Sequence, residues 1–325
     1  MRAVIISEPG GPDVLRVADE ADPVPGPNEV LISVAAAGVN KADIHQREGN
    51  YPPPAGTPEW PGLEVSGTIV SQGPGVTSTH VGDRVCALLS GGGYAERAVV
   101  DAGLVLPVPD TMDLADAAAL PEAVCTVWST VFLSAHLSAG ETLLVHGGSG
   151  GIGTMAIQLA HALGCRVAVT AGSQQKLDAC RALGADILIN YREQNYVDEI
   201  MAATDGRGVD VILDAIGGSY LDKNIRALAP HGRIELIGNQ SGEPGALSIG
   251  RLMSKWGGIH ASTLRARTLA ERQEIVARVR EHAWPLVAAQ QVRPVVDRTF
   301  SFNEAGLAHA AMEQGERFGK LLLIP

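Results

Sequence analysis

One segment constrains the fold of this chain more than any other. Leu143–His146 is apolar enough to be a buried strand, and five of the seven residues in Gly147–Gly153 are glycines that run into a helical pattern. Glycines allow a tight turn and a close approach to a pyrophosphate, and the helix that follows offers unpaired N–H groups. Although such a turn can serve helix–strand packing alone, its place between a strand and a helix predicts a dinucleotide site that includes Gly147, Ser149, Gly150, Gly151, Ile152 and Gly153.

The segments around this turn predict two domains with different patterns of secondary structure. After residue 113, short apolar strands alternate with helical segments, as expected for a doubly wound parallel sheet. Up to about residue 120, short apolar runs are separated by Gly/Pro clusters, which favours an antiparallel, barrel-like β domain. We therefore assign residues 122–263 to the dinucleotide-binding domain, and residues 1–121 and 264–325 to a second domain to which the chain returns.

Charge and composition exclude several classes of function. The 36 acidic and 25 basic residues give a net charge of −11, whereas a nucleic-acid surface needs a basic stripe. No apolar run has the ~20 residues that span a bilayer, so we expect no membrane association. The four cysteines lie far apart with no C-x-x-C pair, which favours free thiols in a reducing compartment. These features predict a cytoplasmic protein.

The end of the second predicted strand indicates which nicotinamide cofactor is bound. NAD-binding folds place an acidic residue there on the ribose diol, but this chain has Gly172, Ser173 and, one helical turn later, Lys176. An acid would repel a 2′-phosphate, whereas a hydroxyl and an ammonium group can bind it. The sequence therefore favours NADPH over NADH, with a merely solvated Lys176 as the alternative.

With these residues in view, the whole chain resembles the zinc-independent quinone oxidoreductases of the medium-chain dehydrogenase/reductase superfamily, and within them the p53-inducible subgroup. The glycine turn is joined in this resemblance by Glu8–Pro12, Gly38–Asp43, Gln46–Tyr51, Gly62–Gly67, Ala118–Thr126, Thr170–Leu177, Asp214–Tyr220 and Gly319–Lys320. The resemblance implies a GroES-like β-barrel catalytic domain beside the Rossmann domain. Zinc-dependent relatives have cysteine where Asn40 stands, histidine where Leu63 stands and a third ligand near Glu122, so the resemblance implies that no metal is bound.

The resemblance also implies roles for individual residues. Tyr191 joins Ser173 and Lys176 around the 2′-phosphate, and Thr126 lies near the nicotinamide. Gly238 and Asn239 fall where ligands bind at the carboxyl edge of a sheet, although a plain turn would explain them equally. Asn40 and Tyr51 are the expected catalytic residues, by hydrogen bonding and by stacking on a flat acceptor. The alternative for Tyr51 and Tyr191 is a role in local packing, and the alternative for Thr126 is a hydroxyl that bonds to the backbone of its own helix.

Together these features predict a metal-free enzyme that transfers a hydride from NADPH to a quinone, with the proton taken from solvent. Reduction of activated alkenes (enals or enones) is the rival reaction, because the same hydride chemistry serves both. A cofactor-binding structural or regulatory protein is the rival from another class. The resemblance further implies a homodimer that pairs across a two-fold axis near Gly257–Thr263.

Overall fold

The computed structural model describes all 325 residues, which divide into two compact units. The first comprises Met1–Cys125, Arg265–Trp284 and Pro294–Pro325, and the second comprises Thr126–Leu264 and Pro285–Arg293. The segment Pro285–Arg293, which lies within the sequence-based range of the first domain, therefore groups with the second unit. The first unit contains a seven-stranded sheet and a two-stranded antiparallel sheet, and the second contains one six-stranded sheet.

The strands are, in chain order, β1 (Arg2–Ile6), β2 (Leu15–Asp19), β3 (Glu29–Gly38), β4 (Glu64–Gln72), β5 (Arg84–Leu88), β6 (Arg97–Asp101), β7 (Val105–Pro107), β8 (Thr142–His146), β9 (Arg166–Ala171), β10 (Ile187–Asn190), β11 (Val209–Asp214), β12 (Leu228–Leu236), β13 (Gly258–Ala261), β14 (Val296–Ser301) and β15 (Lys320–Ile324). The α-helices are α1 (Lys41–Arg47), α2 (Pro121–Val127), α3 (Gly151–Ala162), α4 (Gln174–Ala182), α5 (Tyr196–Ala203), α6 (Leu221–Ala227), α7 (Ile249–Lys255), α8 (Leu269–Arg278), α9 (Trp284–Ala288) and α10 (Ala305–Gln314).

The first unit is built on a seven-stranded sheet of order β14-β15-β3-β4-β5-β7, with β6 also paired to β3. Its pairs are antiparallel except β14 with β15, which run parallel. Small side chains let the strands and a short helical turn pack closely in one part of its core, which contains Ala36, Ala118, Ala119 and Leu322. This is the β domain that the Gly/Pro-punctuated apolar runs predict.

The second unit is a six-stranded, wholly parallel sheet of order β10-β9-β8-β11-β12-β13. The strand order reverses between β8 and β11, and open parallel sheets bind ligands outside the carboxyl ends of the strands at such a switch point. Strand β8 is buried along its whole length, as expected for a strand covered on both faces. The doubly wound fold predicted from the alternation of strands and helices is confirmed.

One segment, Asp116–Ser134, is long and apolar enough to cross a membrane by length and composition alone, and 72% of its apolar window is buried inside the structure. Core helices of soluble proteins have the same properties. The segment is a short helical turn followed by α2 and a π-helical stretch at Trp128–Ser134.

Candidate active site

The glycine turn connects β8 to α3 and leaves helical N–H groups available to a ligand. Gly147 has φ = +75°, which favours glycine, and Gly150 is the N-cap of α3. A side chain at Gly153 would place its Cβ 2.4 Å from the carbonyl oxygen of Gly147. The N–H of Gly150 donates to the carbonyl oxygen of Gly147 within the turn, and the first N–H of α3 that bonds back to the turn is that of Thr154, which donates to Gly150. The N–H groups of residues 151–153 therefore face the space into which the turn opens.

A buried polar network holds the start of this turn. The N–H of Gly147 donates to Oγ1 of Thr170 at 3.2 Å, and that hydroxyl lies 3.2 Å from Nδ1 of His146. On the other side of the imidazole ring, Nε2 of His146 lies 2.8 Å from Oδ1 of Asn224, whose Nδ2 donates to Asp214 at 2.8 Å. Burial lowers the pKa of His146. A neutral ring with its proton on Nε2 satisfies every bond in this chain, which ties the turn to the ends of β9 and β11.

The residues predicted to bind the 2′-phosphate of the ribose lie at and near the end of β9. Ser173 is the N-cap of α4, and its hydroxyl oxygen accepts the N–H of Lys176 at 3.4 Å. A Cβ on Gly172 would lie 2.8 Å from the hydroxyl oxygen of Tyr191 and 3.1 Å from Nε of Arg192. The chain therefore brings Gly172, Tyr191 and Arg192 together. Arg192 is exposed, and its guanidinium adds a cation to this end of the sheet.

A cavity of about 600 Å³ opens at the carboxyl ends of β11, β12 and β13. Gly238 and Asn239 line it together with Gly217, Leu236, Glu243 and Thr263. Oδ1 of Asn239 accepts the N–H of Gly218 at 3.1 Å, which joins the two loops that form the wall of the cavity. Thr126 is partly exposed, and its carbonyl oxygen accepts the hydroxyl of Thr130 at 2.7 Å.

Asn40 is the N-cap of α1 in the first unit, and its side chain joins a buried ion pair. Nζ of Lys320 lies 2.5 Å from Oε1 of Glu64 and 2.6 Å from Oδ1 of Asn40. Nδ2 of Asn40 donates to the same Glu64 oxygen at 2.9 Å, and the N–H of Glu122 donates to Oε2 of Glu64 at 2.8 Å. The Glu64 carboxylate is thereby paired, and the Asn40 amide is held in place by Lys320 and Glu64.

Asp43 lies fully buried beside this ion pair. Its carboxylate accepts the backbone N–H groups of Asn40 and Gly62 at 2.7 and 3.0 Å and the hydroxyl of Tyr94 at 3.1 Å. Burial raises its pKa to about 6, although these hydrogen bonds lower it. Asp43 thus fixes the start of α1 and, with it, the position of Asn40.

Tyr51, the second expected catalytic residue, packs against an arginine that the sequence analysis does not single out. The guanidinium carbon of Arg265 lies 4.8 Å from the centroid of the Tyr51 ring, a cation–π arrangement. Nη1 of Arg265 also donates to the carbonyl oxygen of Tyr51 at 3.4 Å. Only 6% of Arg265 is exposed, and its Nε and Nη2 are buried without a hydrogen-bond partner in the protein.

Comparison with known proteins places this geometry in a family. The model of the alcohol dehydrogenase GroES-like domain matches residues 26–110, and that of zinc-binding dehydrogenases matches residues 151–280. The quinone oxidoreductase of Rattus norvegicus is 34% identical over 332 aligned positions, covering 100% of this chain and 98% of the rat protein. The chain belongs to the quinone oxidoreductase family of the medium-chain dehydrogenase/reductase superfamily.

Two solved structures resemble the chain over its full length. The quinone oxidoreductase of Escherichia coli, solved in complex with NADPH, has a TM-score of 0.88 at 28% identity, with 100% of this chain and 99% of that one covered. A structure described as an NAD-dependent alcohol dehydrogenase has a TM-score of 0.89 at 31% identity, with both chains covered completely. The fold is therefore shared by enzymes with different cofactors and substrates.

Although the chain matches the model of zinc-binding dehydrogenases, its residues at the positions of the zinc ligands do not suit zinc. Leu63 is buried and apolar, and Asn40 and Glu64 bond to the Lys320 ammonium group. No group of three or more His, Cys, Asp or Glu side chains is arranged to hold a metal ion.

The structure adds three features that sequence reasoning did not find: Arg192 beside Gly172, the His146–Asn224 network and Arg265 beside Tyr51. Of these, Arg192 could have been considered from the sequence, because it comes directly after Tyr191. Asn224 lies 78 residues from His146, and Arg265 lies 214 residues from Tyr51. Neither partner has a local pattern that could have identified it.

Proposed function

We propose that this protein is an NADPH-dependent quinone oxidoreductase that works without a metal ion. The observation that carries the proposal is the full-length similarity to quinone oxidoreductases, including one solved with NADPH, in a chain whose glycine turn leaves N–H groups open to a pyrophosphate. Membership in the family alone does not decide the substrate, because one fold serves many reactions.

The residues of the second unit fit an NADP-type cofactor. The N–H groups after Gly150 bind the pyrophosphate, and Gly147, Ser149, Gly151, Ile152 and Gly153 shape the turn around it. Ser173, Lys176, Tyr191 and Arg192 surround the 2′-phosphate, where the Ser173 hydroxyl can cap α4 and still donate its hydrogen. Thr126, Gly238 and Asn239 are assigned to the nicotinamide end. The support is the cluster of cations and hydroxyls at the end of β9 and the absence of an acid there.

When bound, NADPH supplies a hydride. The protein then has to orient the acceptor and exclude water rather than perform covalent chemistry. Arg265 covers one face of the Tyr51 ring, which leaves the other face for a flat quinone, and the Asn40 amide, held by Lys320, is a hydrogen-bonding group for the acceptor. The proton that completes the reduction comes from solvent.

The reaction is tested by stopped-flow oxidation of NADPH with a panel of ortho- and para-quinones, and with enals and enones for comparison. We expect rapid turnover with quinones. Turnover with an enal or enone and with no quinone would assign the protein to alkene reduction instead. Tight NADPH binding without turnover of any acceptor would favour a cofactor-binding structural or regulatory role.

The cofactor assignment is tested at the end of β9. Lys176→Ala and Arg192→Ala are each expected to raise the KM for NADPH about tenfold and to leave the KM for NADH nearly unchanged, because only NADPH has the 2′-phosphate. Arg181→Ala, at the exposed far end of the same helix α4, is the matched control. Equal effects on both cofactors would show that these cations do not recognise the 2′-phosphate.

We further propose a homodimer formed through the edge of the parallel sheet. Strand β13 has a partner on only one side, and Gly257–Thr263 includes it. The adjacent α7 segment exposes three large apolar side chains, Ile249, Met253 and Trp256, with relative exposures of 64%, 68% and 73%. An unpaired strand beside exposed apolar groups is suited to pair with a second copy.

A cytoplasmic location is proposed from the chemistry of the chain. All four cysteines are free and buried, which suits a reducing compartment. The net charge of −11 also argues against a nucleic-acid partner.

A further inference from the structure

Arg265 is held in a position that its contacts within the protein do not explain. It is almost fully buried, yet the one hydrogen bond from its guanidinium is to the carbonyl oxygen of Tyr51, at a long 3.4 Å. Nε and Nη2 are buried and donate to no atom of the protein. A guanidinium group has five N–H donors in a rigid fork. The N–H groups of Nε and Nη2, which lie on one side of the guanidinium, are therefore left without acceptors.

Such an arrangement is costly unless a ligand completes it. Burying a charged group without a partner is strongly unfavourable in general, and burial here lowers the pKa of Arg265. The stacking contact with the Tyr51 ring orients the guanidinium but supplies no hydrogen-bond acceptor. Natural proteins leave buried polar groups unsatisfied mainly where a ligand, ion or water takes the missing place.

No neighbouring carboxyl group forms an ion pair with Arg265, although Asp43 and Glu122 raise its pKa against the effect of burial. Asp43 is bonded to two backbone N–H groups and to Tyr94, and Glu64 is paired with Lys320. Loss of solvent around Glu122, together with the Glu64 carboxylate, raises its pKa to about 8, so Glu122 is mostly protonated at neutral pH. The guanidinium of Arg265 therefore has no carboxylate in contact, and its Nε and Nη2 remain for a ligand that stacks on or near Tyr51.

We infer that Arg265, through Nε and Nη2, forms an oxyanion-binding subsite that stabilises the acceptor oxygen as it gains negative charge. This inference rests on the proposed function. A hydride brings two electrons and one hydrogen from NADPH, which becomes NADP⁺, and converts the quinone to a hydroquinone monoanion. Arg265 binds the charged oxygen of that anion until a proton from water produces the neutral hydroquinone. Preorganised donors aimed at developing charge need no rearrangement during the reaction.

The inference is tested first by binding, with 4-nitrophenol as a redox-inactive probe whose absorbance reports its ionisation state. The full-length protein is titrated with the probe across pH, with and without NADP⁺. We expect the wild type to prefer the phenolate form and therefore to shift the ionisation of the bound probe to lower pH. In Arg265→Met we expect the phenolate to bind at least tenfold more weakly and the shift to disappear. Arg278→Met, which removes an exposed arginine of α8, is the matched control.

Turnover and stability give two further readouts. Removing one oxyanion donor typically costs about 100-fold or more in kcat, so Arg265→Met should lower kcat by that order and leave the KM for NADPH unchanged. Because the substitution replaces an unpaired buried charge with an apolar side chain, the urea midpoint of Arg265→Met should equal or exceed that of the wild type. A purely structural arginine would instead give a large loss of stability.

Several results would overturn the inference. These are a wild type with no preference for phenolate, or an Arg265→Met variant that binds phenolate and turns over like the wild type. Should Arg265→Met fail to fold, Arg265→Lys keeps the charge but not the fork, and unchanged phenolate affinity in that variant would also refute the inference. Arg265-dependent phenolate binding without quinone turnover would preserve the subsite and reject the proposed function.

Discussion

Glu122 shows how one residue can make stability depend on pH. Desolvation and the Glu64 carboxylate raise its pKa from 4.5 to about 8, while Lys320 lowers it. The folded chain therefore holds this proton more tightly than the unfolded chain, which adds stability below about pH 4.5. That contribution shrinks as the pH rises and is lost once the pH passes about 8.

We expect Glu122→Gln to remove this dependence, because the amide does not ionise. From about pH 5 to about pH 8.5, the free energy of unfolding of the wild type should fall by ~1 kcal/mol or more relative to Glu122→Gln. Urea unfolding at a series of pH values measures the difference. Glu8→Gln, at an exposed position, is the control, and its free energy of unfolding should change with pH as that of the wild type does. If the free energy of Glu122→Gln also followed the wild type across this pH range, the prediction would be contradicted.

Asn224 is a residue on which several buried groups depend. Its Oδ1 lies 2.8 Å from Nε2 of His146 and accepts the Tyr196 hydroxyl at 2.8 Å, and its Nδ2 donates to Asp214. Asn224→Leu leaves these groups unsatisfied at about 1–3 kcal/mol each. We expect a lower urea midpoint and, because His146 precedes the glycine turn, weaker NADPH binding. Asn303→Leu, at an exposed position, is the control, and an equal midpoint in both variants would refute the role of the network.

At the scale of elements, the β8–turn–α3 unit was predictable because its determinants are local. The apolar strand, the glycines and the helix lie within about twenty consecutive residues. The start of β14 was less predictable: the pattern of residues 292–300 is typical of a strand that begins at Val292, but the strand begins at Val296. Its register is set by pairing with β15, a contact that residues 292–300 do not encode by themselves.

The same unit makes a sharp prediction about its glycines. A Cβ at Gly153 would lie 2.4 Å from the carbonyl oxygen of Gly147 and 2.6 Å from Cα of Gly148, both backbone atoms. Gly153→Ala must therefore displace the turn, and we expect the Kd for NADPH to rise at least about tenfold, since the pyrophosphate contacts depend on backbone position. Gly250→Ala, also in a helix but with open space around the added Cβ, should leave the Kd unchanged. Fluorescence titration with NADPH distinguishes these outcomes, and equal affinities would mean that the turn tolerates the shift.

At the scale of the whole molecule, the sequence predicts two domains but not every segment of each. Pro285–Arg293 belongs to the second unit although the chain on both sides belongs to the first. Gln158 of α3 explains the attachment, because its side chain donates to the carbonyl oxygen of Arg293 at 3.1 Å and accepts the N–H of Arg293 at 3.0 Å. This contact spans 135 residues, so no local composition or periodicity could have revealed it. Arg265 and Asn224 could not be identified from the sequence either, because their partners are also distant along the chain.

The proposed assembly can be tested on the intact protein. If β13 and α7 form the interface between two copies, light scattering should give a mass close to twice the 33.9 kDa of the chain. The double substitution Met253→Glu and Trp256→Glu would place carboxylates in an apolar contact and should reduce the mass to that of one chain. Leu307→Glu charges a side chain of α10 that is 61% exposed in the first unit, and should leave the dimer intact. A monomeric wild type would reject the dimer itself. A double variant that stays dimeric would instead place the interface on another surface, because the four carboxylates that two copies bring to a true contact could not be buried together without separating the copies.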